Sequence, residues 1–142
     1  MDNKTYLDQL DRIKKSIWLL DLKIERKKQA LQPGPTPTDD TTRADELEKL
    51  KSSRAIIMQL YESFLLEVEN LLDQQNSEIS EILADRFLKS MTLREIAYHL
   101  GYGKTTISRR LDQGVDNLVL PNTPFNAESA FKASGVHEYL VC

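Results

Sequence analysis

"HLGYGKTTISRRL", residues His99–Leu111, decides the fold. Gly103-Lys104-Thr105 has the ending of a phosphate-binding loop, in which a lysine and a hydroxyl hold nucleotide phosphates. That loop also needs an earlier glycine, which would fall at position 98, and a buried strand leading into it. Position 98 is tyrosine. The preceding residues Leu93, Ile96, Ala97 and Leu100 follow the spacing of a helix face, not of a strand. The stretch therefore reads as a turn between two helices.

Several local signals agree with that reading. Thr92-Leu93-Arg94-Glu95 is a capping box, and Met91 with Ile96 supplies the accompanying hydrophobic staple. A short helix is predicted from about Leu93 to Leu100. Gly101 then falls where a left-handed residue ends a helix, and Tyr102 is expected to plug the turn from beneath. Gly103 takes the capping position of the next helix, a weaker cap than serine or threonine. Ile107, Leu111, Val115 and Leu118 form the inner face of that helix, and Gly114 should weaken it near its end.

Upstream, Tyr6, Leu10, Ile13, Ile17, Leu20 and Ile24 recur in alternating steps of four and three, a coiled-coil seam over a helix from about Lys4 to Ala30. "QPGPTPTDDTT", Gln32–Thr42, must break it. Thr42 with Asp45 resembles a capping box for a second long helix, whose seam carries Leu47, Leu50, Ile57, Tyr61, Phe64, Val68 and Leu71. Arg54 interrupts that seam. Two long helices with matching seams predict an antiparallel hairpin. The leftover apolar residues Trp18, Leu19, Met58, Leu65 and Leu72 call for a further surface, a second copy or the C-terminal half of the chain. A polar break near Gln74–Ser77 precedes a third helix with Ile79, Ile82, Leu83 and Phe87 on one face. "VLPNTPFN" marks a second linker, and one short helix, Ala127–Ala133, is expected in the tail, whose Phe125, Phe131, Tyr139 and Leu140 should dock on something.

The predicted fold class is all-α: a long helical hairpin for oligomerisation over 1–75, a tri-helical helix-turn-helix domain over 76–119, and a linker and tail over 120–142. The 142 residues suffice for one small core or a compact domain with an extended element. The longest early apolar run, Ile17–Leu20, is far too short for a membrane span, which takes about 20 residues. Charges interrupt the N-terminus too often for a signal peptide. Cys142 is the only cysteine, so a reducing, cytoplasmic setting is the simplest expectation.

"TLREIAYHLGYGKTTISRRLDQGVDNL" resembles the DNA-binding region four of sigma factors. Glu-Ile-Ala, Leu-Gly, a capped turn, a β-branched residue and Arg-Leu follow in order, with Gly103 and Gly114 departing from the usual serine and alanine. The likeness covers about Ser77–Leu118. The whole layout is similar to the ArpU- and RinA-type late-gene activators of phages of Gram-positive bacteria, and that similarity is specific only in its last third. It implies binding upstream of a late promoter in the host cytoplasm.

Charge agrees with such a role. From Arg86 to Arg110 there are six cations, Arg86, Lys89, Arg94, Lys104, Arg109 and Arg110, against Glu95 alone, within a chain of net charge −3. Neutralising DNA phosphates with such a strip releases counterions. The first turns of the second helix of such a motif enter the major groove. Lys104, Thr105, Ser108 and Arg109 are therefore expected to meet bases, and Lys89, Thr92, Arg94, Thr106 and Arg110 to meet phosphates. Leu10, Ile13, Ile17, Ile57, Tyr61 and Phe64 are the expected dimerisation residues. The expected partners are double-stranded DNA, a second copy of the chain and the host RNA polymerase. No cofactor and no catalytic residue is expected. His99 reads as a surface residue, and His99, His137 and Cys142 do not make a metal-ligand spacing. Two other roles fit the same outline: a module that inhibits a host protein, and a small terminase subunit.

Overall fold

The computed structural model of the chain describes residues 1–30 and 43–136 in full, and the backbone of 40–42. Every regular element among them is helical: α1 Asn3–Ala30, α2 Asp40–Asp73, α3 Ser77–Leu83, a π-helical turn Ala84–Leu88, α4 Leu93–Leu100, α5 Lys104–Asp116 and α6 Ala127–Ala133. None of these helices is long and apolar enough to cross a membrane. Residues 31–39 of the Pro/Thr linker, and His137, Tyr139, Leu140 and Cys142, lie outside the described residues; Thr42 does not start the second helix, because α2 already begins at Asp40.

The chain forms two compact units, each assembled from separate stretches of sequence. One contains Met1–Asp11 with Ser63–Asn126; the other contains Arg12–Glu62 with the tail from Ala127. The consecutive segments 1–75, 76–119 and 120–142 are cut differently, since α1 and α2 each contribute to both units.

In the second unit the seam residues Ile13, Leu20, Ile24, Leu47, Leu50 and Ile57 are buried, as the period of the sequence requires. Lys27 of α1 pairs with Glu46 of α2, and Arg54 Nε donates to Asp21 Oδ1 at 2.5 Å. Residue numbers rise along one helix as they fall along the other, so the two stretches run antiparallel. Arg54, the break in the α2 seam, is thus a partner for an acid on α1. Ala127, Phe131 and Val136 of the tail are buried, while Trp18 remains 61% exposed.

The first unit has two centres. In one, Tyr6 stacks at 5.1 Å on Phe64, which meets Phe125 edge-on at 4.5 Å. Glu67 ties the three strands of chain together: its Oε2 accepts from the Tyr6 hydroxyl at 2.5 Å and from the Phe125 amide at 3.2 Å. Gln9 Nε2 donates to the Phe125 carbonyl at 2.9 Å. The aromatic of the second linker is therefore docked.

Burial and the Glu67 carboxylate push the Tyr6 hydroxyl far above its ordinary pKa. The folded state then favours the protonated phenol, and that stability is complete below the unfolded value of about 10 and lost as pH rises beyond it. Tyr6→Phe removes a hydrogen bond to a charged acceptor. Urea unfolding at pH 7 should register a loss of about 1.5–3 kcal/mol, and the fall in stability above about pH 10 should become shallower.

The other centre is the cluster Ile82, Ile96, Ala97 and Ile107, with Met91, Leu93, Leu100 and Leu111 packed around it. It joins α3, α4 and α5. Met91 packs against the cluster that contains Ile96, which is consistent with the expected staple. Asn3 reaches in from α1 and donates to the carbonyls of Val115 and Leu118, both at 2.8 Å. The last carbonyls of a helix lack partners within it, so Asn3 acts as an external cap for α5.

Candidate nucleic-acid interface

The turn around Gly101 has the local geometry its sequence dictates. Thr92 Oγ1 accepts from the Glu95 amide at 3.1 Å, and Glu95 Oε1 accepts from the Thr92 amide at 3.2 Å. This reciprocal capping box starts α4. Gly101 ends it at φ 75°, in the left-handed region that only glycine enters without strain. Its amide and that of Tyr102 both donate to the Ala97 carbonyl, at 2.9 and 3.1 Å. Three residues separate the two helices.

Tyr102 departs from expectation. It is 41% exposed and does not plug the turn. Its ring instead forms a platform for Arg110, whose guanidinium carbon lies 4.5 Å from the ring centre. Arg110 also pairs with Glu78 of α3. A side chain held between an acid and an aromatic face braces α5 against its neighbours.

Gly103 begins α5 in an extended conformation, φ −73° and ψ 152°, with no side chain to cap the helix. A Cβ there would meet nothing within 4 Å. Gly103→Ser should therefore stabilise the helix start by about a few tenths of a kcal/mol and slow amide exchange over the first turn of α5. Faster exchange in the variant would show that glycine is required at this position.

The outer face of α5 is a shallow groove lined by Leu93, Lys104, Thr105, Ser108, Arg109, Asp112, Gln113 and Asp116. The residues expected at bases, Lys104, Thr105, Ser108 and Arg109, are thus brought onto one surface within two helical turns. Lys104 and Arg109 are exposed. Neither has an ion pair among the described residues.

The residues expected at phosphates are dispersed. Arg94 is exposed on the first turn of α4 and unpaired among the described residues. Thr92 is occupied by the capping box, and Thr106 is half-buried. Lys89 lies 3.3 Å from Asp85, and Arg110 is braced as described. Arg86 donates to the Met91 carbonyl at 2.9 Å.

Sequence reasoning passed over the acids on this surface. Asp112 and Asp116 follow Lys104 and Arg109 along the same face, so α5 is cationic at its start and anionic at its end. An anionic ligand would be admitted at the first two turns and repelled from the last. The spacing of 108, 109, 112 and 116 carried that signal.

Of the expected dimerisation residues, Leu10, Ile13, Ile57 and Phe64 are buried within the single chain, while Ile17 and Tyr61 are half-buried. No family model matches the chain, and neither a characterised protein nor a solved structure is significantly similar to it.

Proposed function

We propose that this protein is a sequence-specific double-stranded-DNA-binding regulator of transcription. On this reading residues 76–119 work as a tri-helical helix-turn-helix domain, and residues 1–75 as a helical hairpin. The observation that carries it is the unpaired pair Lys104 and Arg109, with Thr105 and Ser108 between them, on the first two turns of a helix set by a capped glycine turn. Such a helix N-terminus fits the major groove, about 12 Å wide. Arg109 takes the base-reading role; Lys104, expected at bases from its place on the reading face, is the first residue of α5 and takes a phosphate together with Arg94, and Asp112 and Asp116 keep the far end of α5 clear of the backbone.

The phage late-activator role follows from the resemblance to the ArpU- and RinA-type regulators, and with it a place in the bacterial cytoplasm and the host RNA polymerase as a further partner. One reader offers few contacts, so two copies acting on half-sites about 34 Å apart, or a multiple of that, complete the site. With most of the seam residues buried in one chain, exposed Trp18, Leu19 and Leu66 are apolar groups of the two long helices available for pairing.

A footprint of the purified protein across the genome that encodes it tests the reading. Protection of one short repeated or palindromic site supports it. Absence of any protected site favours a protein-binding role, and a ring-sized native mass favours a terminase subunit.

A further inference from the structure

Asp85 is the one charged residue among those described that is fully buried, at 0% exposure. The π-helical turn Ala84–Leu88 puts it there. Lys89 donates its amide to the Ala84 carbonyl at 3.0 Å, a bond spanning five residues, and Asp85 follows buried Ile82 by three positions on the inward face. Such turns recur at functional sites.

The carboxylate has two partners, a hydrogen bond with His99 and an ion pair with Lys89. His99 Nδ1 lies 3.3 Å from Oδ2, and Lys89 Nζ lies 3.3 Å from Oδ1. Well-made charged hydrogen bonds close to about 2.7–2.9 Å. The lysine is not aligned to donate, so Oδ1 is buried with no hydrogen bond at all. Glu81, on the preceding turn, completes a cluster: one ligand atom from each of Glu81, Asp85 and His99 lies within 4.8 Å of the others.

We propose that Glu81, Asp85 and His99 bind one divalent transition-metal ion, zinc(II) foremost. One imidazole nitrogen and two carboxylate oxygens suit zinc, whereas magnesium and calcium take six or more oxygens. Zinc bonds of about 2.0–2.2 Å in a tetrahedron separate ligand atoms by roughly 3.3–3.6 Å. His99 and Asp85 already stand at that separation, and exposed Glu81 closes on the ion by a change of rotamer. Lys89, whose side chain is 63% exposed, gives way to solvent as the ion supplies the positive charge. The ion would clamp the end of α3 and the π turn to α4. The sequence hides this set because its members are drawn from two helices across a loop, with no short ligand spacing. The inference stands apart from the DNA reading.

The test uses the full chain carrying His137→Ala and Cys142→Ser, which removes other donors suited to zinc. Cobalt(II) is titrated in as a visible probe, zinc is used to displace it, and thermal unfolding is followed with and without zinc. The expected result is a cobalt absorption band that saturates at one equivalent, is abolished by zinc, and accompanies a zinc-dependent rise in Tm. His99→Ala and Glu81→Gln should each weaken zinc binding at least about tenfold. Glu81→Gln, at an exposed residue, should leave helix content and metal-free Tm unchanged, whereas His99→Ala removes a partner of buried Asp85 and should lower the metal-free Tm as well. No cobalt band and no zinc-dependent shift would overturn the proposal. So would binding of unchanged affinity in both variants, or a response to magnesium in place of zinc.

Discussion

Arg109→Ala should weaken binding to the protected DNA site by about 5- to 150-fold per reader, the equivalent of about 1–3 kcal/mol. The loss should fall on the specific site and spare unrelated DNA, because a guanidinium fork discriminates guanine by two parallel hydrogen bonds. Arg109→Lys keeps the charge and loses the fork. It should retain most of the affinity for unrelated DNA and still lose discrimination. Lys104→Ala should instead lower affinity for all sequences alike. Arg110→Ala gives the internal contrast. That residue is braced between Glu78 and Tyr102, so its removal should lower the melting temperature more than it alters sequence preference. Competition binding with site and scrambled duplexes separates these outcomes. Full affinity and specificity in Arg109→Ala would mean that α5 is not the reader.

The largest effect on stability is expected at Gly114. This glycine is buried where α5 crosses α3, and a Cβ added to it would lie 2.7 Å from Ile79 Cγ2 and 3.3 Å from a Leu83 methyl. Ile79 is β-branched, so Cγ2 cannot swing aside without leaving its rotamer. Alanine gains about 1 kcal/mol of helix propensity and meets an overpacking cost of about 1–3 kcal/mol, so a modest net loss is expected. Leucine keeps the clash and adds bulk, and Gly114→Leu should cost about 3 kcal/mol by urea denaturation. A double-mutant cycle makes the cause explicit. In an Ile79→Ala background the space is open, and Gly114→Ala should become stabilising. A loss of the same size in both backgrounds would rule out Ile79 as the obstacle.

What could be read from the sequence divides along the same line as these two residues. Signals confined to one turn of chain were legible: the Thr92–Glu95 box, the left-handed glycine, the stapled Met91, and the bounds of α4 and α6. The seams of α1 and α2 were equally plain, because apolar period maps directly onto burial. Features created by contact between distant stretches were not. Gly114 looked like a helix defect until α3 was seen to occupy its missing side chain. Asn3 caps α5 from more than a hundred positions away. The place of Tyr102 in a turn suggests a buried plug, whereas its ring is exposed and carries the Arg110 guanidinium. Buried Asp85 is not legible in sequence, because a charged residue on a short helix reads as solvated until the partners His99 and Lys89 are placed around it. The spacing of Lys104, Thr105, Ser108 and Arg109 made their common face on α5 legible, and the same spacing carries on to Asp112 and Asp116.

The most direct measurement is the affinity of the wild-type protein for its protected site and for unrelated duplex between about 0.05 and 0.2 M salt. Arg94 and Lys104 can each neutralise one phosphate per copy, and each neutralised phosphate steepens the plot of log affinity against log salt by about 0.9. A slope of roughly −3 to −5 for a pair of readers is expected, with a clear preference for the protected site at every salt concentration. A slope near zero, or equal affinity for the two duplexes throughout, would contradict the assignment of α5 as a DNA-reading helix.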